Sequence, residues 1–517
     1  MTSLLCCKTI PSLPCLPLVS TPSRWPCLIL ALCLVFLWPA RLHAATGTWS
    51  TNSGTWDTGT NNWSGVSGTP WDSINGLTNI ANFTATSGSA TVSGTVYANQ
   101  ITYTAGSGSF SIDSGTINLA GTTPTISVNT SRVLTIGSAL EGSAGLVKTG
   151  AGFLTLTASN TYSGTTTISA GTLRIADANA LGAGGAGNAT TIGTGGDLSL
   201  QGNITVAGEA LTHNGGTGGF LRNLSGTNAW NGDITIGANN SRIRSDAGLL
   251  TIGGNINIAS TGLIFEGAGN TTVSGIVSGT GALTLGGGNS GTVTLSGLNS
   301  YTGATTVSAG TLSINTLTDW GVDSSIGKGT NTGQIFLGSG ANDGTILYTG
   351  SGNTSNRRFR IGNTTAADTG GAVIKNDGSG ALVLNNVFFN TANTSVTTSR
   401  TLTLGGANTD TNTISGSISD NATALGGTVA VTKTDAGTWV LSGSNSYTGG
   451  TTVSAGSLII NGNNSNATGV LSVASGATLG GSGTIGGATT ISGVLAPGNS
   501  IGTLTVANDV TWNSGNS

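Results

Sequence analysis

Along most of this chain, apolar residues come in pairs two positions apart, with Thr or Ser between them and Gly or Asn soon after. Leu154 and Leu156, Val293 and Leu295, and Trp439 and Leu441 are such pairs. So are Leu173 with Ile175, Leu312 with Ile314 and Leu458 with Ile460, while Ile168, Val307 and Val453 mark a third recurring apolar position. A period of two is that of a strand with one face buried. Thr155, Thr294, Thr172, Thr311 and Ser313 fall on the other face and are expected to point outward. Gly164, Gly303 and Gly449, then Gly171, Gly310 and Gly456, fall where the chain must turn sharply. The pattern reads strand, turn, strand, turn, strand. Thr, Ser, Asn and Gly are poor helix formers, so no helix of useful length is expected.

The same sentence is written three times: NTYSGTTTISAGTLRI from Asn160, NSYTGATTVSAGTLSI from Asn299 and NSYTGGTTVSAGSLII from Asn445. One such unit cannot satisfy its strand edges or cover its apolar face alone. Stacking it on a neighbour does both, which predicts a solenoid in which each coil touches the next. Weaker versions, such as GALTLGGGNSGTVTLSG from Gly281 and GATLGGSGTIGGATTISGVL from Gly476, fill the intervals, and insertions such as DANALGAGGAGNAT from Asp177 should be loops. The expected architecture is an all-β, right-handed parallel β-helix of on the order of 20 coils, roughly 90–100 Å long at ~4.8 Å per strand. Separate β-sandwiches are the weaker alternative, because hairpin signals at regular spacing are few.

The first 44 residues break the pattern. Lys8 and Arg24 precede an apolar run, CLILALCLVFLW from Cys27 to Trp38, followed by small residues. This is the arrangement of a cleaved signal peptide, with the cut expected after Ala44; the run is short of the roughly 20 residues a membrane span needs. Cleavage changes the inventory. All five cysteines lie in the leader, so neither disulfides nor thiolate chemistry is expected of the exported chain. Losing Lys8, Arg24 and Arg41 leaves 16 less 3, or 13, cations against 19 anions and a net charge of −6. Only 7% of the residues are charged and 5% aromatic, while Gly alone contributes 87. A mildly acidic exported chain is not expected to bind nucleic acid.

The full motif has a known counterpart. LVKTGAGFLTLTASNTYSGTTTISAGTLRI (146–175) and VTKTDAGTWVLSGSNSYTGGTTVSAGSLII (431–460) resemble the autotransporter-associated β-strand repeat, as does the middle copy near 281–314. LAPGNSIGTLTV (495–506) resembles the closing motif of such passengers. The resemblance implies an exported parallel β-helix, the passenger of a type V secretion system or a long surface protein. The middle copy departs by carrying Gly286 to Gly288 in place of the Lys-Thr-Gly lead-in. Family members often continue into a C-terminal β-barrel, whereas this sequence stops in mid-pattern at VTWNSGNS and reads as a fragment.

Candidate chemistry is sparse. His213 is the only histidine after the leader and reads as a solvated turn residue. The glutamates are Glu141, Glu209 and Glu266, and the closest acidic pair, Asp319 and Asp323, reads as an insertion loop. No Cys/His metal spacing, P-loop or HExxH is present, and no cofactor, metal site or catalytic residue is expected. Arg357, Arg358 and Arg360 around Phe359 form the tightest basic group and are candidate ligand contacts for an acidic polysaccharide or lipopolysaccharide phosphates; the bland reading is a strand with Phe359 and Ile361 buried and the two flanking arginines solvated. Trp49, Trp56 and Trp63, with Trp71 after them, are expected to plug the open first coil, within a segment at 45–100 that holds the Trp-rich N-terminal cap and the first coils, with the repeat-bearing solenoid at 101–517. Exposed, they would instead stack on sugars. The functional expectation is a structural or adhesin-like surface rod without catalytic activity, contacting glycans, matrix or other cells, with lateral self-association through outward Thr and Ser. A polysaccharide-binding or polysaccharide-degrading β-helix is the alternative.

Overall fold

The computed structural model describes residues 46–59, 62–65, 78–104, 107–185, 187–331, 333–362, 368–386, 388–390, 398–420, 427–498 and 502–513. The proposed leader at 1–44 and Trp71 lie outside the described residues, as do positions 499–501 of the closing motif. The described chain is a parallel β-solenoid of about 18 turns. At ~4.8 Å per turn it runs roughly 85 Å, a little shorter than a 20-coil rod. Helix among the described residues is confined to 3₁₀ geometry at Thr78 and the 3₁₀ turn Gly216–Gly218.

The strands fall on three sides of the solenoid, and most turns use all three in succession. On the first side lie an 11-stranded sheet, beginning with Thr46–Trp49, and later a 7-stranded sheet beginning with Asn353–Ser355. The second side carries a 16-stranded sheet from Ser53–Trp56 to Ile418–Ser419, then a 3-stranded one from Asn463–Asn464. On the third side a 3-stranded sheet from Thr95–Ala98 gives way to a 14-stranded sheet from Thr205–Val206 to Val510–Trp512. Alternation builds the interior. Along the second side, Leu134, Leu154, Leu173, Leu198, Leu221 and Ile243 follow one another in register, each essentially inaccessible to water. Every other residue of each strand thus joins one continuous apolar column, and burying a Leu or Ile in it contributes about 1.5–3 kcal/mol.

The repeat explains why each side carries two sheets. Each copy puts its strands on two sides and its Asn-x-Tyr on the third, where the ladder breaks. The first copy runs on sides one and two (Leu146–Thr149, Phe153–Leu156), the second on two and three (Leu283–Asn289, Thr292–Leu295) and the third on three and one (Val429–Lys433, Thr438–Leu441). At each break the Asn carboxamide stands in for a peptide group. Asn160 Oδ1 accepts from the Leu140 N–H at 2.8 Å and its Nδ2 donates to Ala180 O at 2.6 Å. Asn299 does the same between Val277 N and Ser325 O, and Asn445 between Ile418 N and Asn464 Oδ1. A buried peptide group without a partner costs about as much as a lost hydrogen bond, so a side chain carrying both donor and acceptor is what the corner needs. The tyrosine two residues on is buried in all three copies and bonds the hydroxyl of Thr166, Thr305 or Thr451 at 2.7–2.8 Å.

Two expectations need adjusting. Gly171, Gly310 and Gly456 turn in the left-handed region, but Gly303 and Gly449 do not. Those two are needed because a Cβ would sit 2.0 Å from Gly281 O and 2.3 Å from Val429 O in the adjoining coil. The outward Thr155, Thr172 and Ser313 are also not solvated: they are at most 9% exposed. Thr155 stands beside Arg174 and Ser313 beside Leu347 in the ladders, and these longer neighbours shield them.

Candidate functional surface

The buried polar groups come first, because a hidden charge is where chemistry would be sought. Lys148 reaches into the solenoid and donates to the carbonyls of Thr149, Gly150 and Ala170 at 2.8, 2.7 and 3.1 Å. Lys433 repeats this cage with Thr434, Asp435 and Ala455. Desolvation lowers both ammonium groups to about 8, so each stays charged at neutral pH, held by carbonyls that end two successive coils. The middle copy has Leu285 at this position, in register with Val307 as Lys148 is with Ile168. There Asn289 Nδ2 donates to Gly291 O at 2.9 Å instead. These are turn braces.

His213 is buried, not solvated. It ends the inward face of Leu211–His213, its Nε2 lies 3.0 Å from Arg242 O and its Nδ1 accepts from Gly215 N at 3.2 Å. The neutral tautomer with a proton on Nε2 satisfies both contacts. Burial lowers its pKa, so the folded state binds fewer protons than the unfolded chain below the ordinary histidine value. Stability is therefore expected to fall as pH drops through about 6.5, by up to about 1.4 kcal/mol per pH unit until the folded-state pKa is reached. Glu209 works in the opposite direction. Its carboxyl, buried and bonded by Thr190 Oγ1 at 2.7 Å, is raised to about 7, so its contribution is fully present below pH 4.5 and lost as pH rises through 7. Urea midpoints at pH 7.5 and 5.0 for the wild type and His213→Asn separate the two: the variant should lose less on acidification. Equal losses would sink the assignment.

The three arginines singled out from sequence divide. Arg358–Ile361 is a strand with Phe359 and Ile361 buried, Arg358 exposed and Arg360 half-buried. Arg357 points inward at 6% exposure, where its Nε donates to Thr318 O and one terminal nitrogen to Gly327 O at 2.7 Å. It ties down the insertion that follows Ile314. In that insertion Asp319 Oδ1 accepts from the Asn356 N–H, and Thr318 Oγ1 bonds the carbonyls of Val322 and Asp323. These bonds are those of a braced turn. Trp320 and Val322 on the same insertion, and Leu298 and Ile276 on adjacent coils, are each 45–57% exposed. Trp49 and Trp56 are fully buried; with Trp63 and Phe83 they form an edge-packed cluster with centroids 5.1–5.9 Å apart, so neither buried indole offers a face to a sugar.

Residues the spacing did not flag are Arg174, Arg222, Arg242 and Arg244. Arg242 and Arg244 share one strand face, and only the ladder register of the 16-stranded sheet brings the distant Arg174 and Arg222 to the same outer face. Among the described residues no group of three His, Cys, Asp or Glu side chains is placed to hold a metal ion.

The passenger-associated-transport-repeat family matches residues 146–175, 289–314 and 431–460. Its middle match begins after the three glycines that replace the usual lead-in. The chain is also similar to the Adhesin BmaC autotransporter of Brucella suis biovar 1 (strain 1330), with 31% identity over 328 residues. That match covers 62% of this chain and 8% of the relative's length. No solved structure matches. The repeats, the relative and the solenoid together fit an autotransporter-passenger-like β-helix, a kind of chain exported to the cell surface or the extracellular space.

Proposed function

We propose that the protein is a non-enzymatic, adhesin-like β-helix passenger, right-handed, delivered behind a cleaved leader at 1–44 and acting as a stiff rod that presents one or more binding faces. The observation that carries this reading is the threefold passenger-associated repeat built into a parallel solenoid. The right-handed sense rests on the strong chirality of parallel crossover connections. Residues 45–100 form the N-terminal cap and the first coils, with the buried indoles of Trp49 and Trp56 filling the end of the core that would otherwise stand open. Export machinery is a partner in transit; at the surface the partners are glycans, matrix or other cells. Arg358 and Arg360 are candidate contacts for an anionic group, whereas Arg357 is occupied in bracing the 315–331 insertion.

Display of the chain on a non-adherent host through a heterologous translocator barrel tests this directly. Attachment to host cells or matrix is expected to rise severalfold over cells displaying the barrel alone. Background attachment despite verified display would overturn the adhesin reading. Reducing-sugar release from a panel of plant and algal polysaccharides tests the enzyme alternative and is expected to be nil. Side-by-side association is expected to be weak: two of the three sheet sides carry outward Thr and Ser, while the second is interrupted by arginines. Sedimentation equilibrium should show self-association at high concentration, and a monomer throughout would remove it.

A further inference from the structure

We infer that the outer face of the 16-stranded sheet is a binding strip for a linear acidic polysaccharide, with Arg174, Arg222, Arg242 and Arg244 as its anion contacts. Six of the nine arginines that follow the leader (these four with Arg358 and Arg360) lie on outward positions of this one sheet. Arg174, Ser199, Arg222 and Arg244 succeed one another in register, one coil apart. Ser199 beneath them is completely shielded from water, so the guanidiniums and their stems form the surface there.

The side chains are held in place. Arg174 lies over the Phe153 ring at 4.1 Å, and Arg242 and Arg244 flank Phe220 at 5.8 and 5.9 Å. The second cluster repeats the device, with Arg360 over Phe336 at 5.6 Å. A guanidinium on an aromatic shelf has lost rotamer freedom before any ligand arrives, which lowers the entropy cost of binding. Three acidic residues share the strip and act as spacers: Asp197 accepts from the Phe220 N–H at 2.9 Å and its charge couples to that of Arg222. Asp246 takes Nε of both Arg222 and Arg244 at 2.5 Å, leaving the terminal nitrogens of those two guanidiniums without a partner among the described residues. Glu266 holds one terminal nitrogen of Arg242 at 2.8 Å. No ion pair among the described residues reaches Arg174, and the charge of Arg222 adds to desolvation in lowering its pKa.

The ligand class follows from charge and spacing. Terminal guanidinium nitrogens in a fixed fork suit carboxylate and sulfate oxygens. Arg174 to Arg222 is two rungs and Arg222 to Arg244 one, so cations recur at roughly 10 and 5 Å along a straight edge. An extended glycan advances by about one rung per sugar, so charges on every sugar or every second sugar fall into register with the strip. Acidic rod, cationic strip: a chain of net negative charge keeps most of its exposed cations on one side of the solenoid, which is the arrangement that orients an anionic polymer along it.

This inference rests on the adhesin-like reading and deepens it. The purified protein would be passed over surfaces carrying heparin, polygalacturonate or dextran, in increasing salt. Binding to heparin, polygalacturonate or both, with affinity falling steeply with salt, and none to dextran, is expected; which of the two is preferred tells sulfate from carboxylate. Arg174→Gln with Arg244→Gln should weaken binding about tenfold to a hundredfold, since each removes one charge-assisted contact. A phenylglyoxal footprint read by mass spectrometry supplies a test without substitutions: labelling of Arg174 and Arg244 should slow when the glycan is bound, compared with the free protein. Absence of binding to both acidic glycans overturns the inference. So does undiminished binding by a variant with a native urea midpoint, labelling of Arg174 and Arg244 unchanged by the glycan, or equal binding to double-stranded DNA, which would mean a general polyanion surface. The assay uses no cells. Failure here with intact cell attachment removes only the strip, while glycan binding without attachment removes the adhesin reading.

Discussion

Replacing Asn160, Asn299 or Asn445 by Ala is expected to destabilise the solenoid by about 3 kcal/mol at each site, several times the effect of most surface substitutions. Each carboxamide bridges two groups of the flanking coils. At Asn160 the change orphans the Leu140 N–H and the Ala180 carbonyl, both facing the interior. A buried group left without its partner costs about 1–3 kcal/mol, and no water can reach these corners without opening the coil. Tyr162→Phe, which removes a hydroxyl bonded only to Thr166 Oγ1, should cost about 1 kcal/mol. Because coils touch only their neighbours, the damage should be local. Amide exchange at Leu140, Val277 or Ile418 should rise sharply in the matching variant and stay slow several coils away. A urea midpoint and exchange pattern like the wild type's would mean that the carboxamide is not what carries the ladder across the break.

The second large effect is Gly456→Ala, expected to cost more than about 4 kcal/mol. Gly456 turns at φ 64°, and a Cβ there would lie 2.4 Å from Asp435 O, 2.5 Å from Gly437 O and 2.7 Å from Lys433 Nζ. The left-handed conformation alone costs an L-residue roughly 1–2 kcal/mol. The rest comes from pushing apart two coils and the lysine brace between them, which a stacked array cannot relax without losing register. Gly476→Ala is the control. Its φ is 81° but nothing lies within 4 Å of the place its methyl would take, so the conformational cost stands alone. Thermal or urea unfolding of the two variants separates the terms; equal losses would show that close approach contributes nothing.

The solenoid itself is written in the chain. The pairs at Leu154/Leu156, Val293/Leu295 and Trp439/Leu441 are buried strand positions in all three copies, and the insertion after Asp177 carries no strand before Thr190. This much is local: a strand's period of two and a glycine's turn are encoded in adjacent residues. Some of what looked like plain outward polarity was not, since Thr155 and Ser313 are covered by longer neighbours one coil away. His213 reads as a turn residue in LTHNGG, yet the Arg242 carbonyl that holds it comes from the next coil's second side. The recurring Asn was visible as a repeat, but its work as a splice between Leu140 and Ala180 was not. The arginine strip was the least legible. Apart from the pair 242 and 244 on one strand, residues 174, 222 and 242 share no regular spacing, because coil lengths vary with each insertion and only hydrogen-bonded register decides which residues become neighbours. Period and turn chemistry act along the chain and survive irregular coil length; a surface assembled across coils depends on how far each loop delays the next strand, and that is settled only when the ladders close.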